Sequence, residues 1–340
     1  MSRVSIFGAG AWGTALAIVL GRKGVHEVRL WAREQEVCDV IASRQVNDVF
    51  LPGCPIPKSV SVTTQYEFCI QGADIVVCAV PSQHCRLIFQ QIKKYLQPHM
   101  LLVSATKGLE QSSLLRMTSV IGEVVGGETS APRVGALSGP SFAKEVAQGD
   151  PTAITIASED AALAQTVQQT FSDASFRVYR NDDVTGVELG GALKNVVAIA
   201  AGVCNGLGLG HNSIAALITR GLAEITRLVV ACGGREQTMA GLAGLGDLVL
   251  TCTGELSRNR SVGVELGRGR KLPEILTNMR GTVAEGIFTT YAAVGLARAQ
   301  GIEMPITEQM HSILRDGKPP REAIHELMTR SAKSESKLDS

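Results

Sequence analysis

Residues 3–24 read RVSIFGAGAWGTALAIVLGRKG, and their reading decides the fold. RVSIF is a short β-branched run of the kind that forms a buried strand, and TALAIVLGRKG carries helical periodicity. GAGAWG (8–13) joins them as a complete G-x-G-x-x-G. Alone that motif is weak. Between a strand and a helix, with a second strand VRLWA (28–32) about twenty residues later, it has the context of a dinucleotide fingerprint. Gly8 permits the tight turn, Gly10 lets the backbone approach a pyrophosphate, and Gly13 allows close helix–strand packing. Ala11 and Trp12 fill the variable positions. The helix N-terminus then faces the phosphates.

Outward from this unit the first half continues as short apolar runs: ADIVVCAV (73–80), MLLVSAT (100–106), RVGALSG (133–139) and ITIAS (154–158). Wholly apolar strands separated by helices predict a parallel sheet covered on both faces. From about residue 187 helical periodicity takes over, with a break at NGLGLGHN (205–212). The expected organisation is an α/β doubly wound domain over residues 1–186, an all-α domain over 187–330, and a polar, disordered tail over 331–340.

The totals exclude several classes. Lys+Arg is 33 and Asp+Glu is 32, so bulk attraction to nucleic acid or to an anionic membrane surface is not expected. The 8 cysteines include no C-x-x-C pair, and the 6 histidines do not cluster with them, so no metal site is expected. Scattered thiols indicate a reducing compartment. With no leader-like N-terminus and no apolar run approaching the ~20 residues of a membrane helix, a cytoplasmic protein is expected.

The end of the second strand bears on the dinucleotide. LWARE (30–34) has Arg33 where an acidic residue would bind a ribose 2′-hydroxyl, with Glu34 next. Arginine accommodates a 2′-phosphate, so NADP(H) is the expected preference, with NAD(H) still possible.

GALKNVVAIAAG (191–202) sets Lys194 among apolar and small residues. An unpartnered buried ammonium is costly. Lys194 therefore either snorkels at the polar edge of its helix or is held for its charge. Asp247 follows the apolar, Gly-rich GLAGLG and needs a partner, unless it is a helix N-cap. SRNR (257–260) suits a capped helix start that binds phosphate, with Arg258 as a bidentate donor and Arg260 solvated. Thr282 and Glu285 fit a capping box.

These blocks, together with ATKGL (105–109), LSGPSFAKEV (137–146), ELGGALKNVVAIAAG (188–202), ITRGLAEI (218–225), GLGDLVLTCTGELSRNR (244–260) and VAEG (283–286), closely resemble the bacterial-type NAD(P)-dependent glycerol-3-phosphate dehydrogenases over roughly residues 3–330. The resemblance implies a Rossmann-type domain followed by a 6-phosphogluconate-dehydrogenase-like helical domain. It implies reversible reduction of dihydroxyacetone phosphate to sn-glycerol 3-phosphate for phospholipid synthesis, in a homodimer. Lys194 would be the proton donor, its pKa tuned downward, and Asp247 its partner. Lys107, Gly139, Ser141, Ser257, Arg258 and Asn259 would join them on the substrate. Gly8, Gly10, Ala11, Trp12, Gly13, Arg33, Lys107, Ala143, Arg258, Val283 and Glu285 would contact the cofactor. Ala11 departs from a serine often found there, which removes a hydroxyl contact.

Two kinds of rival remain. One is another two-domain NADP-dependent reductase, acting on a 2-keto acid or, with a cysteine nucleophile, on a sugar nucleotide; Cys204 and Cys252 read as packing. The other is a non-catalytic NADP-binding sensor, which would need none of Lys194, Asp247 or Arg258.

Overall fold

The computed structural model describes residues 1–126, 132–279, 284–332 and 334–335. Most of the expected 331–340 tail, and Val283 and Thr282, lie outside the described residues.

Among the described residues ten strands form in chain order: β1 (Arg3–Phe7), β2 (Glu27–Trp31), β3 (Val46–Asn47), β4 (Leu51–Pro55), β5 (Val60–Thr63), β6 (Ile75–Cys78), β7 (Leu101–Ser104), β8 (Val134–Ser138), β9 (Thr152–Ala157) and β10 (Phe176–Asn181). Eight make one sheet in the order β10-β9-β8-β7-β6-β1-β2-β5, and β3 and β4 form a separate hairpin. Ile6 pairs with Leu30 on one side and Val77 on the other, both in parallel register. The β8–β9 pair is antiparallel, so the sheet is mixed rather than wholly parallel. An apolar strand is buried on both faces whichever way it runs, and its composition does not encode direction.

Chain order reverses about β1, with β2 on one side and β6 on the other. That switch point opens a crevice beyond the strands' carboxyl ends, where open α/β sheets bind ligands. Helices cover both faces: Ile18 and Leu20 lie in one core, and Phe89 and Ile92 lie in the other.

After β10 the chain is helical. Asp183 caps the helix Val184–Gly206, accepting from Gly186 N at 2.8 Å, and the same carboxylate accepts from Arg235 N and Thr238 Oγ1. This helix is long and apolar enough to cross a membrane, yet all of its apolar window is buried in protein. It is the axis on which the other helices pack. Helix Arg258–Gly267 crosses it at a separation only glycine permits: a Cβ on Gly263 would stand 1.9 Å from Ile199 O. Glu188 ties the axis to the sheet domain, accepting from Arg116 Nη1 at 2.6 Å and Thr118 N at 2.9 Å.

Candidate active site

Lys194 is 6% exposed and Asp247 1%. Lys194 lies on the central helix, away from any polar edge, so the snorkelling alternative fails. Asp247 is the first residue of helix Asp247–Thr253, entered through a wide π-helical turn at Leu242–Gly246. The cap residue of that helix is Gly246, so Asp247 is not its N-cap. The Asp247 carboxylate accepts from two ammoniums: Lys194 Nζ is 2.9 Å from Oδ1, and Lys107 Nζ is 2.7 Å from Oδ2. Burial by itself pushes the Asp247 carboxyl up; the two lysines outweigh that and hold it below the usual carboxylate range.

Lys107 arrives from the carboxyl end of β7. Its Nζ also donates to Gly139 O at 2.7 Å and lies 3.4 Å from Ser141 Oγ, which itself bonds Gly139 O. It is therefore no solvated loop lysine. Burial, reinforced by the neighbouring Lys194 charge and opposed by Asp247, brings its pKa down to about 8. Two ammoniums and one carboxylate leave a net positive charge in a water-poor site, where electrostatics are strong.

Thr251 was missed in the sequence. It sits one helical turn past Asp247, accepts from Lys194 Nζ at 2.6 Å and donates to Asp247 O at 2.7 Å. The i,i+4 spacing was the available signal.

Ser257 caps helix Arg258–Gly267, accepting from Arg260 N at 3.2 Å. Arg258 lies exposed at the helix start. Its guanidinium has no hydrogen-bond partner among the described residues, and it borders a cleft of about 340 Å³ shared with Val262, Glu265 and Arg270. Asn259 is buried and largely engaged, its Nδ2 donating to Asn195 Oδ1 and its Oδ1 accepting from Gly286 N. Arg260 is not solvated: it is half-buried, and with the Asn205 amide turned to face it, the Asn205 oxygen accepts at 3.0 and 3.1 Å.

Glu285 begins helix Glu285–Gln300 and Ala284 precedes it as cap residue. The Thr282 end of the expected capping box lies outside the described residues. The Glu285 carboxylate accepts from Ser82 N at 3.0 Å and Ser82 Oγ at 2.5 Å, joining the helical domain to the loop after β6. Burial raises its pKa, and the Ser82 bonds oppose the rise.

At the switch point Gly8 has φ +120°, and a Cβ there would meet the Ala79 carbonyl at 2.8 Å; a Cβ on Gly13 would stand 1.9 Å from Gly8 O. A Cβ on Gly10 meets nothing within 4 Å. Helix Ala11–Arg22 has no side-chain cap, which leaves its first N–H groups to a ligand. Turn, packing and open approach are thus divided among the three glycines as a dinucleotide requires. Ala11 and Trp12 line this helix start, half-buried. Ala143 opens helix Ala143–Gln148 beside it and packs on the same core. Arg33 is 72% exposed and its Nε donates to Glu34 Oε1 at 2.7 Å. Cys204 and Cys252 are buried thiols raised by burial, Cys252 to about 12, and neither suits a nucleophile.

Two family models match in tandem: NAD-dependent glycerol-3-phosphate dehydrogenase N-terminus over residues 3–164, and its C-terminus over 183–325. A glycerol-3-phosphate dehydrogenase (NAD(P)+) of Koribacter versatilis is 64% identical over 98% of this chain and 99% of its own. The crystal structure of glycerol-3-phosphate dehydrogenase from Coxiella burnetii superposes with a TM-score of 0.92 at 40% identity, covering 97% of this chain and 99% of that one. A ketopantoate reductase from Ralstonia eutropha, 19% identical with a TM-score of 0.59 over 95% of this chain and 100% of its own, shares the fold alone.

Proposed function

Because the chain belongs to the NAD-dependent glycerol-3-phosphate dehydrogenase family, we propose a division of labour among its buried charges for the family reaction. The enzyme is an oxidoreductase that uses NAD(P)(H) to interconvert dihydroxyacetone phosphate and sn-glycerol 3-phosphate, a precursor for phospholipid synthesis. When bound, the dinucleotide supplies the hydride that adds to C2 of the ketone.

Negative charge then develops on the C2 oxygen. Lys194 meets it and delivers the proton that completes the alcohol; in the oxidative direction the neutral amine takes that proton back. Lys107 is the second cation beside the same carboxylate and stabilises the same oxyanion. Asp247 and Thr251 hold Lys194 in place, so little reorganisation is needed when charge appears. The substrate phosphate sits at the start of helix Arg258–Gly267, where the helix N-terminus and the unpaired Arg258 attract an anion. Gly139 and Ser141 hold Lys107, and Asn259, anchored by Asn195, keeps one donor hydrogen for substrate.

Gly8, Gly10 and Gly13 cradle the pyrophosphate with Ala11, Trp12 and Ala143. Arg33 leaves Glu34 for the 2′-phosphate of NADP(H), the preferred cofactor in this reading. Glu285 borders the cofactor near Arg258, and Val283 is assigned to the cofactor by sequence alone. Residues 1–186 then act as the cofactor domain and 187–330 as the substrate domain, in a cytoplasmic homodimer.

The observation that carries the reading is the convergence of Lys107 and Lys194 on one buried aspartate. Mixing the protein with NADPH and dihydroxyacetone phosphate tests it. Loss of NADPH absorbance is the expected result, and bound but unoxidised NADPH would sink the substrate assignment.

A further inference from the structure

Asn47 is 1% exposed in the β3–β4 hairpin, an element between the second strand's helix and β5. The hairpin's pairing slips register between Val46 and Asn47, the kind of irregularity that re-aims a side chain. Asn47 reaches 38 positions back along the chain to the glycine loop. Nδ2 donates to Ala9 O at 2.8 Å and to Thr14 Oγ1 at 2.9 Å, and Oδ1 accepts from Phe50 N at 3.2 Å. Both amide hydrogens and the oxygen are thus used. Thr14 Oγ1 also faces Ala9 O, at 3.4 Å.

The hairpin itself is well held. Leu51, Cys54 and Ile56 belong to the core that contains Ala15 and Leu16, and Ile56 N donates to Gln45 O at 2.7 Å. Asn47 therefore grips the loop from a fixed base. In a planar trans peptide the carbonyl and the following N–H point in opposite directions. Holding Ala9 O toward the hairpin aims Gly10 N–H away from it, and Gly10 is the glycine with open space around it.

We propose that Asn47 is a positioning residue for the cofactor pyrophosphate: it fixes the Ala9–Gly10 peptide so that the glycine loop presents its N–H groups before the dinucleotide arrives. The proposal rests on the reading of Gly8–Gly13 as the cofactor site and of NADP(H) as its ligand. Asn47 touches no reacting atom and acts only through the loop.

Calorimetric titration of the ligand-free protein tests it, with NADPH, with 2′-phospho-ADP-ribose, which carries the pyrophosphate, and with 2′-AMP, which does not. Asn47→Leu removes the grip. Thr14→Val, nearly isosteric, removes only the hydroxyl end and guards against a folding defect in the first variant. The dissociation constants for NADPH and 2′-phospho-ADP-ribose should rise about tenfold in Asn47→Leu and severalfold in Thr14→Val, while that for 2′-AMP stays within about twofold of wild type. Unchanged NADPH affinity in both variants overturns the proposal. So does equal weakening of 2′-AMP, which would make Asn47 a general support of the domain. Wild-type protein that binds none of the three would instead remove the cofactor reading beneath it.

Discussion

Lys194 and Asp247 meet at 2.9 Å inside the protein, and Lys107 takes the opposite oxygen of the same carboxylate at 2.7 Å. Each lysine is tolerable there only because of the aspartate, and the aspartate only because of the lysines. Removing one partner from a buried ion pair typically costs about 3–5 kcal/mol, because a charge is left uncompensated. Asp247→Ala should therefore lower thermal stability by an amount in that range, as well as activity. Lys194→Ala leaves the Lys107–Asp247 pair and should fold. Its turnover should fall by at least about a hundredfold, the usual yield of a positioned proton donor, with NADPH affinity near wild type by calorimetry. Near-normal turnover would remove Lys194 from the chemistry.

Lys107 makes the site sensitive to alkali. The charges facing it are Asp247 and Lys194, and its pKa is lowered to about 8. The ammonium is present below that pH and is lost above it. The kcat/KM for ketone reduction should then decline by about tenfold per unit above pH 8, as for loss of a single proton. Lys107→Arg stays charged to beyond pH 12, so whatever activity it retains should lack that alkaline limb. An identical limb in both proteins would assign it to another group.

How far the sequence carried differs from residue to residue. The β1 strand, glycine loop and helix were legible because a ligand-bearing turn constrains residue type at three fixed spacings. The central strands were legible from apolar runs. β5 and β10 were not, because edge strands face solvent and alternate: Phe176 and Val178 are buried while Arg177 and Tyr179 are exposed. In the site, Lys194 stood out because it is the one cation in a largely apolar helix. Glu285 was legible as a candidate, but its partner was not. Ser82 lies 203 positions away in sequence, and no local pattern announces such a contact. Asn47 is hidden for the same reason.

Arg258 tests the phosphate subsite. It lies at a capped helix start with no hydrogen-bond partner among the described residues; the buried Glu285 carboxylate feels its charge, but keeps both of its bonds from Ser82 when Arg258 is removed. Arg258→Ala should raise the KM for dihydroxyacetone phosphate by about tenfold or more, consistent with loss of a charge-assisted bond, with little change in melting temperature. An unchanged KM would place the phosphate elsewhere.

Glu224 gives a prediction away from the site. It is 1% exposed and accepts from Ile306 N at 3.0 Å and Thr307 N at 3.3 Å, capping helix Pro305–Asp316 from a neighbouring helix. Burial raises its pKa from 4.5 to about 8, against those two bonds. The folded value lies above the unfolded one, so the native state holds the extra proton between about pH 4.5 and 8. Its contribution to stability is full below that window and is lost as pH rises through 8. Glu224→Gln keeps an acceptor oxygen without the charge. It should be more stable than wild type at pH 8.5, on the order of 1 kcal/mol, with the difference shrinking toward pH 5. Parallel pH dependence in the two proteins would show that Glu224 does not titrate there.

In the proposed reading, cofactor choice turns on an exposed pair. Arg33 and Glu34 are neighbours and bonded to each other, so the loop that would read a 2′-phosphate carries cancelling charges until a ligand separates them. A 2′-phosphate offers Arg33 a doubly charged partner with several acceptor oxygens, which outcompetes one carboxylate; a 2′-hydroxyl offers no such exchange. Arg33→Asp replaces the cation with a group suited to a ribose hydroxyl and repels phosphate. The ratio of kcat/KM for NADPH over NADH should fall by about tenfold or more in that variant, with the KM for dihydroxyacetone phosphate unmoved, since Arg33 is not among the proposed substrate groups. An unaltered ratio would mean that other residues read the 2′ position and that Arg33 is only the counter-ion of Glu34.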